Sequence, residues 1–126
     1  TVTKLADDLK ANGILALTSS GKSALKMSRY RPKTPIYAFT HEEKVLNSLT
    51  AIWGIEAIGT IKEDQASKMF QTMLQTLDKK GLLDKNQSYV ATVGYPVGLQ
   101  GSTNTIKILT PSEINYYLNY GNNNLD

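Results

Sequence analysis

A short run of hydroxyl-bearing residues, interrupted by a glycine and followed by a lysine, carries the clearest candidate chemistry in this chain. The stretch ALTSSGKSALK, residues 16–26, nearly matches the phosphate-binding pattern G-x-x-x-x-G-K-[ST], with Ala16 in place of the first glycine. Backbone amides in such a loop bind phosphate groups together with serine and threonine hydroxyls and a lysine. We therefore predict an anion-binding loop made of Thr18, Ser19, Ser20, Gly21, Lys22 and Ser23.

A nucleotide hydrolase would need more than this loop. Such an enzyme also holds a metal ion through an acidic residue at the end of another strand and positions the attacking water. The three further strands that the sequence predicts before residue 95 end in Thr40, Gly59 and Gly94. Because no acid stands at these positions, the sequence argues against nucleotide hydrolysis.

Two interpretations of the loop fit its residues equally. In the first, Ser20 caps the following helix and Lys22 is solvated. In the second, the helix keeps its first amides free for an outside anion, because Ala24 and Leu25 stand where an acid would compete for them. Gly21 would then let the backbone approach the ligand closely.

Apolar patterning predicts the elements that position this loop. Short apolar runs predict strands at residues 14–17, 36–39, 55–58, 89–93 and 105–109. Helical spacing and caps predict helices at residues 3–11, from Gly21 to about Tyr30, 41–50, 64–80 and from about 110 to 119. Strands that alternate with helices indicate a mostly parallel sheet, which binds ligands beyond the carboxyl ends of its strands, where residues 18–23 would lie.

The helix ends have their own sequence signals. Asn12-Gly13 and Gly81 offer left-handed positions at which the first and fourth helices are expected to stop. Thr40–Glu43 and Thr110–Glu113 have the spacing of capping boxes that open the third and fifth helices. The closing residues 119–126 are expected to be frayed.

Composition and charge exclude several classes of protein. The 126 residues suffice for one domain, and no apolar run approaches the ~18–20 residues that a membrane span needs. The 14 basic residues are scattered among 11 acidic ones at a net charge of +3, so neither nucleic acid nor a membrane is an expected partner. The absence of cysteine and of a leader pattern favours a cytoplasmic protein. His41 is the only histidine and is expected to be a solvated surface residue, so no metal site and no catalytic residue are predicted.

Two separated motifs resemble the C-terminal domain of pyruvate kinases. They are ILALTSSGKSALKMSRYRPKTPIYAFT and, about fifty residues on, GYPVGLQGSTNTIKI. The resemblance covers residues 1–109 and implies an α/β fold, a three-layer α/β/α sandwich. Its five-stranded sheet would be mixed and mostly parallel, with the last strand antiparallel at the edge. Residues 110–126 are expected to form an extension, a short helix followed by a frayed tail.

The resemblance also implies a regulatory and oligomerisation domain. It makes residues 18–23 an effector-phosphate loop, with a facing loop that closes over the sugar. That facing loop consists of Gly94, Tyr95, Pro96, Gly98, Gly101, Ser102 and Thr103. Residues 62–73 contain no Trp or Arg for a second phosphate, so a sugar monophosphate or nucleoside monophosphate is expected rather than a bisphosphate. A vestigial loop in an effector-insensitive enzyme is the other interpretation.

The parent implied by the resemblance would transfer a phosphoryl group from phosphoenolpyruvate to ADP in glycolysis. Its catalytic barrel, with Mg²⁺ and K⁺, is not in this sequence, so the chain alone is expected to be inactive and to need no cofactor. Its partners would be the effector, the other domains of the parent and further copies in a homotetramer. The rival hypothesis is a freestanding phosphate-ligand binding domain of the same fold.

Other conspicuous residues are expected to be structural. Trp53 and the Met/Phe/Leu stripe at residues 69–77 are predicted to be core or a subunit contact. Residues 29–31, in the motif RYRP, are expected to anchor the connection between helix and strand, with an interface contact as the alternative.

Overall fold

Five strands form one mixed sheet in the order β3-β2-β1-β4-β5. The computed structural model describes residues 2–94 and 104–123. Strands β1 to β4 pair in parallel, and β5 runs antiparallel to β4 at the edge. The strands are β1 (Ile14–Leu17), β2 (Ile36–Thr40), β3 (Ile55–Thr60), β4 (Tyr89–Gly94) and β5 (Asn104–Leu109).

Helices cover both faces of the sheet. They are α1 (Val2–Asp8), α2 (Lys22–Arg29), α3 (Glu43–Leu49), α4 (Ala66–Lys79) and α5 (Pro111–Asn123). Residues of α1, α2 and α3 pack with Ile14 and Ala16 on one face, whereas α4 and α5 pack with Leu15 and Leu17 on the other. All four residues of β1 are buried, because successive side chains of a strand point to opposite faces. The predicted three-layer α/β/α sandwich is confirmed.

The helices on both faces were compared with the requirements of a membrane span. Among the described residues, every helix is too short or too polar to cross a membrane.

The first helix ends differently from the prediction. Helix α1 ends at Asp8, and the left-handed residue that follows is Lys10, with φ 54°, instead of Gly13. The Ala11 amide donates to the Ala6 carbonyl at 2.9 Å and the Lys10 amide donates to the Asp7 carbonyl at 3.1 Å, which is the Schellman pattern.

Gly13 serves close packing instead. A Cβ atom there would lie 2.7 Å from Cε2 of Tyr37 and 3.0 Å from Cε2 of Tyr89. The prediction that the Asn-Gly pair stops the helix was therefore wrong about the conformation of this glycine, although a small residue is needed at the position.

The predicted capping box at Thr40–Glu43 is absent. Helix α3 begins two residues later than expected, and its N-cap Glu42 makes no side-chain capping bond. Thr40 is instead the buried last residue of β2, paired with Thr60, and its hydroxyl donates to the Glu42 carbonyl at 2.8 Å. The strand uses the threonine that the pattern had assigned to the helix.

The other two helix signals are confirmed. Gly81, with φ 73°, follows α4, and its amide donates to the Asp78 carbonyl at 3.0 Å. At the start of α5 the Thr110 hydroxyl accepts from the Glu113 amide at 3.3 Å, while the Glu113 carboxylate accepts from the Thr110 amide at 3.4 Å. The prediction of a short helix with fraying from residue 119 was wrong, since α5 continues to Asn123; residues 124–126 lie outside the described part.

Helix α5 contributes to the core and holds the edge strand. Ile114 is fully buried, and the ring centroid of Tyr117 lies 6.0 Å from that of Phe70 on α4. Nζ of Lys107 on β5 lies 2.7 Å from Oε2 of Glu113. The side-chain hydrogen bond with Lys107 lowers the pKa of Glu113 below its ordinary value, and the same bond raises the pKa of Lys107.

This ion pair predicts a dependence of stability on pH. Because the folded-state pKa of Glu113 is lowered, its contribution is present above the ordinary carboxyl pKa and is lost as pH falls through the folded value. The Lys107 contribution is present below the ordinary lysine pKa and is lost as pH rises through the raised value. Glu113→Gln keeps the capping geometry and should lower the free energy of unfolding at pH 7 by less than ~1 kcal/mol, since both groups are partly solvated. Urea unfolding between pH 2 and 8 measures this difference.

The matched control is Glu63→Gln, because Glu63 makes no ion pair within the described residues. The stability difference between Glu113→Gln and the native chain should vanish at acid pH. A difference that stays constant from neutral to acid pH would contradict the ion-pair account.

Candidate functional site

The predicted loop turns a central strand into a helix. Strand β1 ends at Leu17 between β2 and β4, and α2 begins at Lys22. The Thr18 amide donates to the Phe39 carbonyl at 2.9 Å, which continues the β1–β2 ladder by one residue. The loop therefore opens at the carboxyl edge of the sheet, where α/β folds bind their ligands.

The near match to the nucleotide pattern does not reflect a nucleotide loop. Ala16, which stood for its first glycine, lies inside β1 and is fully buried. The actual turn consists of residues 18–21, which is shorter than the pattern requires.

Gly21 cannot be replaced by another residue without strain in the turn. It is the N-cap of α2 and has φ 89°, a left-handed conformation in which other residues are strained. A Cβ atom at this position would lie 3.2 Å from Cδ2 of Leu49 and 3.7 Å from Cγ1 of Val45. Helix α3 thus packs directly behind the glycine, which leaves the opposite side of the turn as the side open to a ligand.

Side chains of the loop accept hydrogen bonds from only some of the loop's backbone amides. Oγ1 of the buried Thr18 accepts from the Gly21 amide at 3.0 Å. Oγ of Ser20 accepts from the Lys22 amide over a longer 3.4 Å. The amides of the remaining loop and first-turn residues donate to no group of the described part of the chain; these are Ser19, Ser20, Ser23 and Ala24.

The charges of helix α2 favour binding of an anion. The lack of an acidic residue in the first turn, however, is shared with another helix. Helix α2 has no acid in its first turn and carries Lys22, Lys26 and Arg29. Helix α4 also lacks a first-turn acid and a capping side chain at its N-cap Gln65. What sets α2 apart is the combination of unpaired amides with hydroxyl groups and a left-handed glycine at a central strand end.

The six predicted loop residues lie together. Thr18 and Gly21 are buried, Ser19 and Ser23 are half-buried, and Ser20 and Lys22 are exposed. The three serine hydroxyls and the Lys22 ammonium group are therefore the polar groups nearer to solvent, while Thr18 and Gly21 fix the base of the turn in the core.

The predicted facing loop is described only at its first residue. Gly94 ends β4, which pairs with β1 next to residues 18–23, with Val93 opposite Leu17. The remaining residues named for this loop lie outside the described residues: Tyr95, Pro96, Gly98, Gly101, Ser102 and Thr103. Their assignment stays a prediction.

The neighbouring strand ends contain a contact that the sequence pattern missed. His41 is half-buried, and its Nδ1 lies 2.9 Å from the Ile61 carbonyl oxygen, which it meets as a donor when that nitrogen carries the proton. Nζ of Lys62 donates to the His41 carbonyl at 2.7 Å. His41 therefore links the ends of β2 and β3 and is not simply solvated. The partner lies twenty residues along the chain, so local spacing gave no signal for it.

Trp53 is not part of the core. Its side chain is 65% exposed, which contradicts that part of the prediction, while all five large apolar residues of the 69–77 stripe are buried as expected. The Arg31 guanidinium lies 4.7 Å from the centroid of the Trp53 ring. The other interpretation of this tryptophan, a subunit contact, stays a prediction.

Taken together, these features define an α/β sandwich domain whose central strand runs into a hydroxyl-rich helix N-terminus suited to a phosphate group. A family model described as "Pyruvate kinase, alpha/beta domain" matches residues 1–109. The chain belongs to this family.

The pyruvate kinases that the chain resembles are much longer than the chain. It is 34% identical over 109 residues to the pyruvate kinase of Lactococcus lactis subsp. lactis, covering 86% of this chain and 22% of the relative. It is 33% identical over 107 residues to that of Lactobacillus delbrueckii subsp. bulgaricus, covering 85% and 18%. A solved structure of the Cryptosporidium parvum pyruvate kinase in complex with ADP matches with a TM-score of 0.71 at 25% identity, covering 85% of this chain and 21% of that one. The chain thus spans about a fifth of the length of these proteins.

The Thr18 hydroxyl is predicted to stabilise the turn. Thr18→Val keeps the side-chain shape but leaves the buried Gly21 amide without its acceptor, so the free energy of unfolding should fall by ~1–3 kcal/mol. Urea denaturation monitored by circular dichroism measures the change. The control Thr50→Val removes an exposed hydroxyl and should cost no more than ~0.5 kcal/mol. Equal costs for the two variants would rule out this role for Thr18.

Proposed function

We propose that this chain is the regulatory and oligomerisation domain of a pyruvate kinase and that the loop 18–23 binds the phosphate of an effector. The observation that carries the proposal is that the amides of Ser19, Ser20, Ser23 and Ala24 donate to no group among the described residues. In a folded protein such donors are normally satisfied by a side-chain cap, by water or by a ligand.

A phosphate monoester fits the chemistry of this turn. Its oxygens accept several hydrogen bonds at once, and the positive end of the α2 dipole favours a dianion. The hydroxyls of Ser19 and Ser23 and the ammonium group of Lys22 add further donors on the solvent side. Thr18 is already used within the turn and serves to shape it.

The number of cationic side chains near the loop favours a ligand with one phosphate group over a bisphosphate. The loop itself contributes a single cation, Lys22, and residues 62–73 hold lysines but neither Arg nor Trp. A ligand such as ribose 5-phosphate, glucose 6-phosphate or AMP would place its phosphate on the loop. Its sugar would extend toward residues 94–103.

Catalysis by the parent would take place elsewhere. Transfer of a phosphoryl group from phosphoenolpyruvate to ADP requires metal ions and charged groups around the reacting phosphate. The described residues contain no cluster of three or more His, Asp or Glu side chains that could hold a metal ion. Mg²⁺ and K⁺ would be held by another domain of a cytoplasmic parent enzyme. Ligand binding here would shift the parent between states by the ~1–3 kcal/mol usual for allosteric coupling.

A freestanding phosphate-binding domain is the alternative function. The two hypotheses differ in whether a catalytic barrel precedes residue 1 in the same polypeptide. Translation of the genomic sequence upstream of the chain distinguishes them, because barrel sequence in the same reading frame supports the regulatory domain.

The surface beside the edge strand supports assembly with further copies. Ile106 and Ile108 on β5 are 48% and 41% exposed, and they stand opposite Thr92 and Val90 on the face of the sheet that carries α1 and α2. Within the described residues, no strand pairs with the outer edge of β5. Exposed isoleucines at a free edge are suited to a symmetric contact between copies.

Effector binding is predicted to depend on Gly21. Isothermal titration calorimetry of the chain with ribose 5-phosphate, AMP and fructose 1,6-bisphosphate should give the strongest binding for a monophosphate. Gly21→Asp should weaken the tightest ligand at least ~tenfold, because it adds a negative charge close to the phosphate and strains a left-handed backbone position.

Two control variants separate charge from strain. Gly21→Ala introduces the same backbone strain and the same contact with Leu49 without the charge, and it should weaken binding less than Gly21→Asp. Gly81→Asp adds a carboxylate at another left-handed glycine and should leave binding unchanged. Undiminished binding to a folded Gly21→Asp variant would refute the site.

Assembly is predicted to depend on the two exposed isoleucines. The double variant Ile106→Lys/Ile108→Lys should shift the sedimentation coefficient of the chain toward the monomer, because like charges would face each other across a symmetric contact. The control Leu9→Lys changes another exposed apolar residue and should leave sedimentation unchanged. If the double variant sediments as the same oligomer as the native chain, the contact between copies does not involve Ile106 and Ile108.

A further inference from the structure

A small cleft lies between α1 and α2. It has a volume of about 230 Å³, and its lining includes Val2, Ser23, Lys26, Met27, Tyr30 and Thr92. The four lining residues from α2 and its C-cap recur at the spacing of one helix face, which extends over ~10 Å because a helix rises ~1.5 Å per residue. Val2 on α1 and Thr92 on β4 close the cleft on its other sides.

The base of the cleft carries a buried hydroxyl without a partner. Thr92 is 7% exposed and pairs with Ala16 and Ile106, so its side chain points to the face of the sheet that carries α1 and α2. Its hydroxyl forms no hydrogen bond with any described residue, although buried polar side chains are normally paired. The fully enclosed side-chain atom without a partner in the described chain is Nε2 of Gln71, so the Thr92 hydroxyl is not sealed in the core but opens to the cleft.

The other polar groups of the cleft favour an anion. Lys26 is exposed at the rim, and its ammonium group makes no ion pair within the described residues. The Ser23 hydroxyl likewise bonds to no described group. The lining that the structure describes holds no acidic residue. One ammonium group and two hydroxyls, all with donors to spare, suit a carboxylate.

The remaining lining favours an aromatic ring. Met27 is 8% exposed and forms a wall of the cleft, Val2 is half-buried, and the Tyr30 side chain is 57% exposed at the rim. Methionine sulfur and a tyrosine ring both pack well against aromatic groups. The volume is below the ~300–1,000 Å³ of common ligand pockets, which limits the ligand to a small molecule such as one ring with one short acidic arm.

We propose that the cleft between α1 and α2 binds a small aromatic monocarboxylate. Its carboxylate would accept hydrogen bonds from Lys26, Ser23 and the buried Thr92 hydroxyl, and its ring would pack against Met27 and Tyr30. This site goes beyond the proposed function and does not depend on it. The loop 18–23 offers backbone amides at the start of α2, whereas the cleft offers side chains along the length of that helix.

The methionines of the chain provide the test. Met27 lines the cleft, whereas Met69 and Met73 lie in the core on the opposite face of the sheet. The chain would be labelled with ¹³C at the methionine methyl groups and titrated with phenylacetate. The ring of the bound ligand should shift the Met27 methyl resonance saturably and leave the other two unchanged. Phenethylamine, a cation of similar shape, should bind at least ~tenfold more weakly, because its charge is repelled by Lys26.

Two variants test the polar groups of the cleft. Thr92→Val keeps the side-chain shape and should weaken phenylacetate binding ~fivefold, the usual effect of one lost hydrogen bond, without lowering the free energy of unfolding. Lys26→Met keeps most of the side-chain stem and should weaken binding at least ~fivefold. The matched controls Thr60→Val and Lys44→Met lie outside the lining and should leave binding unchanged.

Each outcome decides the proposal. No saturable Met27 shift up to ~10 mM phenylacetate would mean that the cleft holds water only and would overturn the site. Equal binding of phenethylamine, or undiminished binding to Thr92→Val, would also overturn it. Binding seen only with Ile106→Lys/Ile108→Lys would mean that a second copy covers the cleft in the native chain, which again excludes the ligand. Gly21→Asp should keep the Met27 response, so failure of the phosphate loop is distinguishable from failure of the cleft.

Discussion

The structure of the candidate site depends on the requirement that a fully buried central strand turn into a helix within four residues. All four residues of strand β1 are buried, and so are Thr18 and Gly21 in the turn that follows it. The polar groups of these two residues must therefore find hydrogen-bond partners within the turn. The Gly21 amide does so by donating to Thr18 Oγ1, with the glycine in a left-handed conformation and Leu49 packed behind it. Within the described part of the chain, this arrangement leaves the amides of Ser19, Ser20, Ser23 and Ala24 without an acceptor, which suits the turn to an anion. The same constraint fixes the start of α2 at Lys22.

Much of this arrangement follows from the sequence because the signals are local. Apolar runs mark strands buried on both faces, the period of 3.6 marks the buried stripe of α4, and the capping box at Thr110–Glu113 forms as its spacing predicts. The prediction that β5 is an edge strand is confirmed, since β5 lies at the end of the described sheet and pairs with β4. Residues 18–23 lie between β1 and the first turn of α2, as the sequence predicts, while their role as a binding site stays a prediction.

The sequence fails as a guide where distant contacts override local preference. Thr40 has the spacing of a helix cap but belongs to β2, because strand pairing with Thr60 removes it from the helix. Gly13 is needed for its small size beside two tyrosine rings, and Lys10 takes the left-handed position instead. Trp53 looks like a core residue in the sequence, yet it lies on the surface under Arg31. Each case depends on a neighbour well outside a local window.

The central claim, that the turn before α2 is a phosphate site, is tested most directly by the amide protons themselves. Two-dimensional ¹H–¹⁵N spectra of the chain would be followed during titration with ribose 5-phosphate. The account predicts saturable downfield shifts of the Ser19, Ser20, Ser23 and Ala24 amides, since these donate to no group of the described chain. Ala66 and Ser67, at the start of α4, serve as an internal control because that helix also lacks a capping side chain and a first-turn acid. No shift at the turn before α2, or an equal shift at the start of α4, would contradict the account.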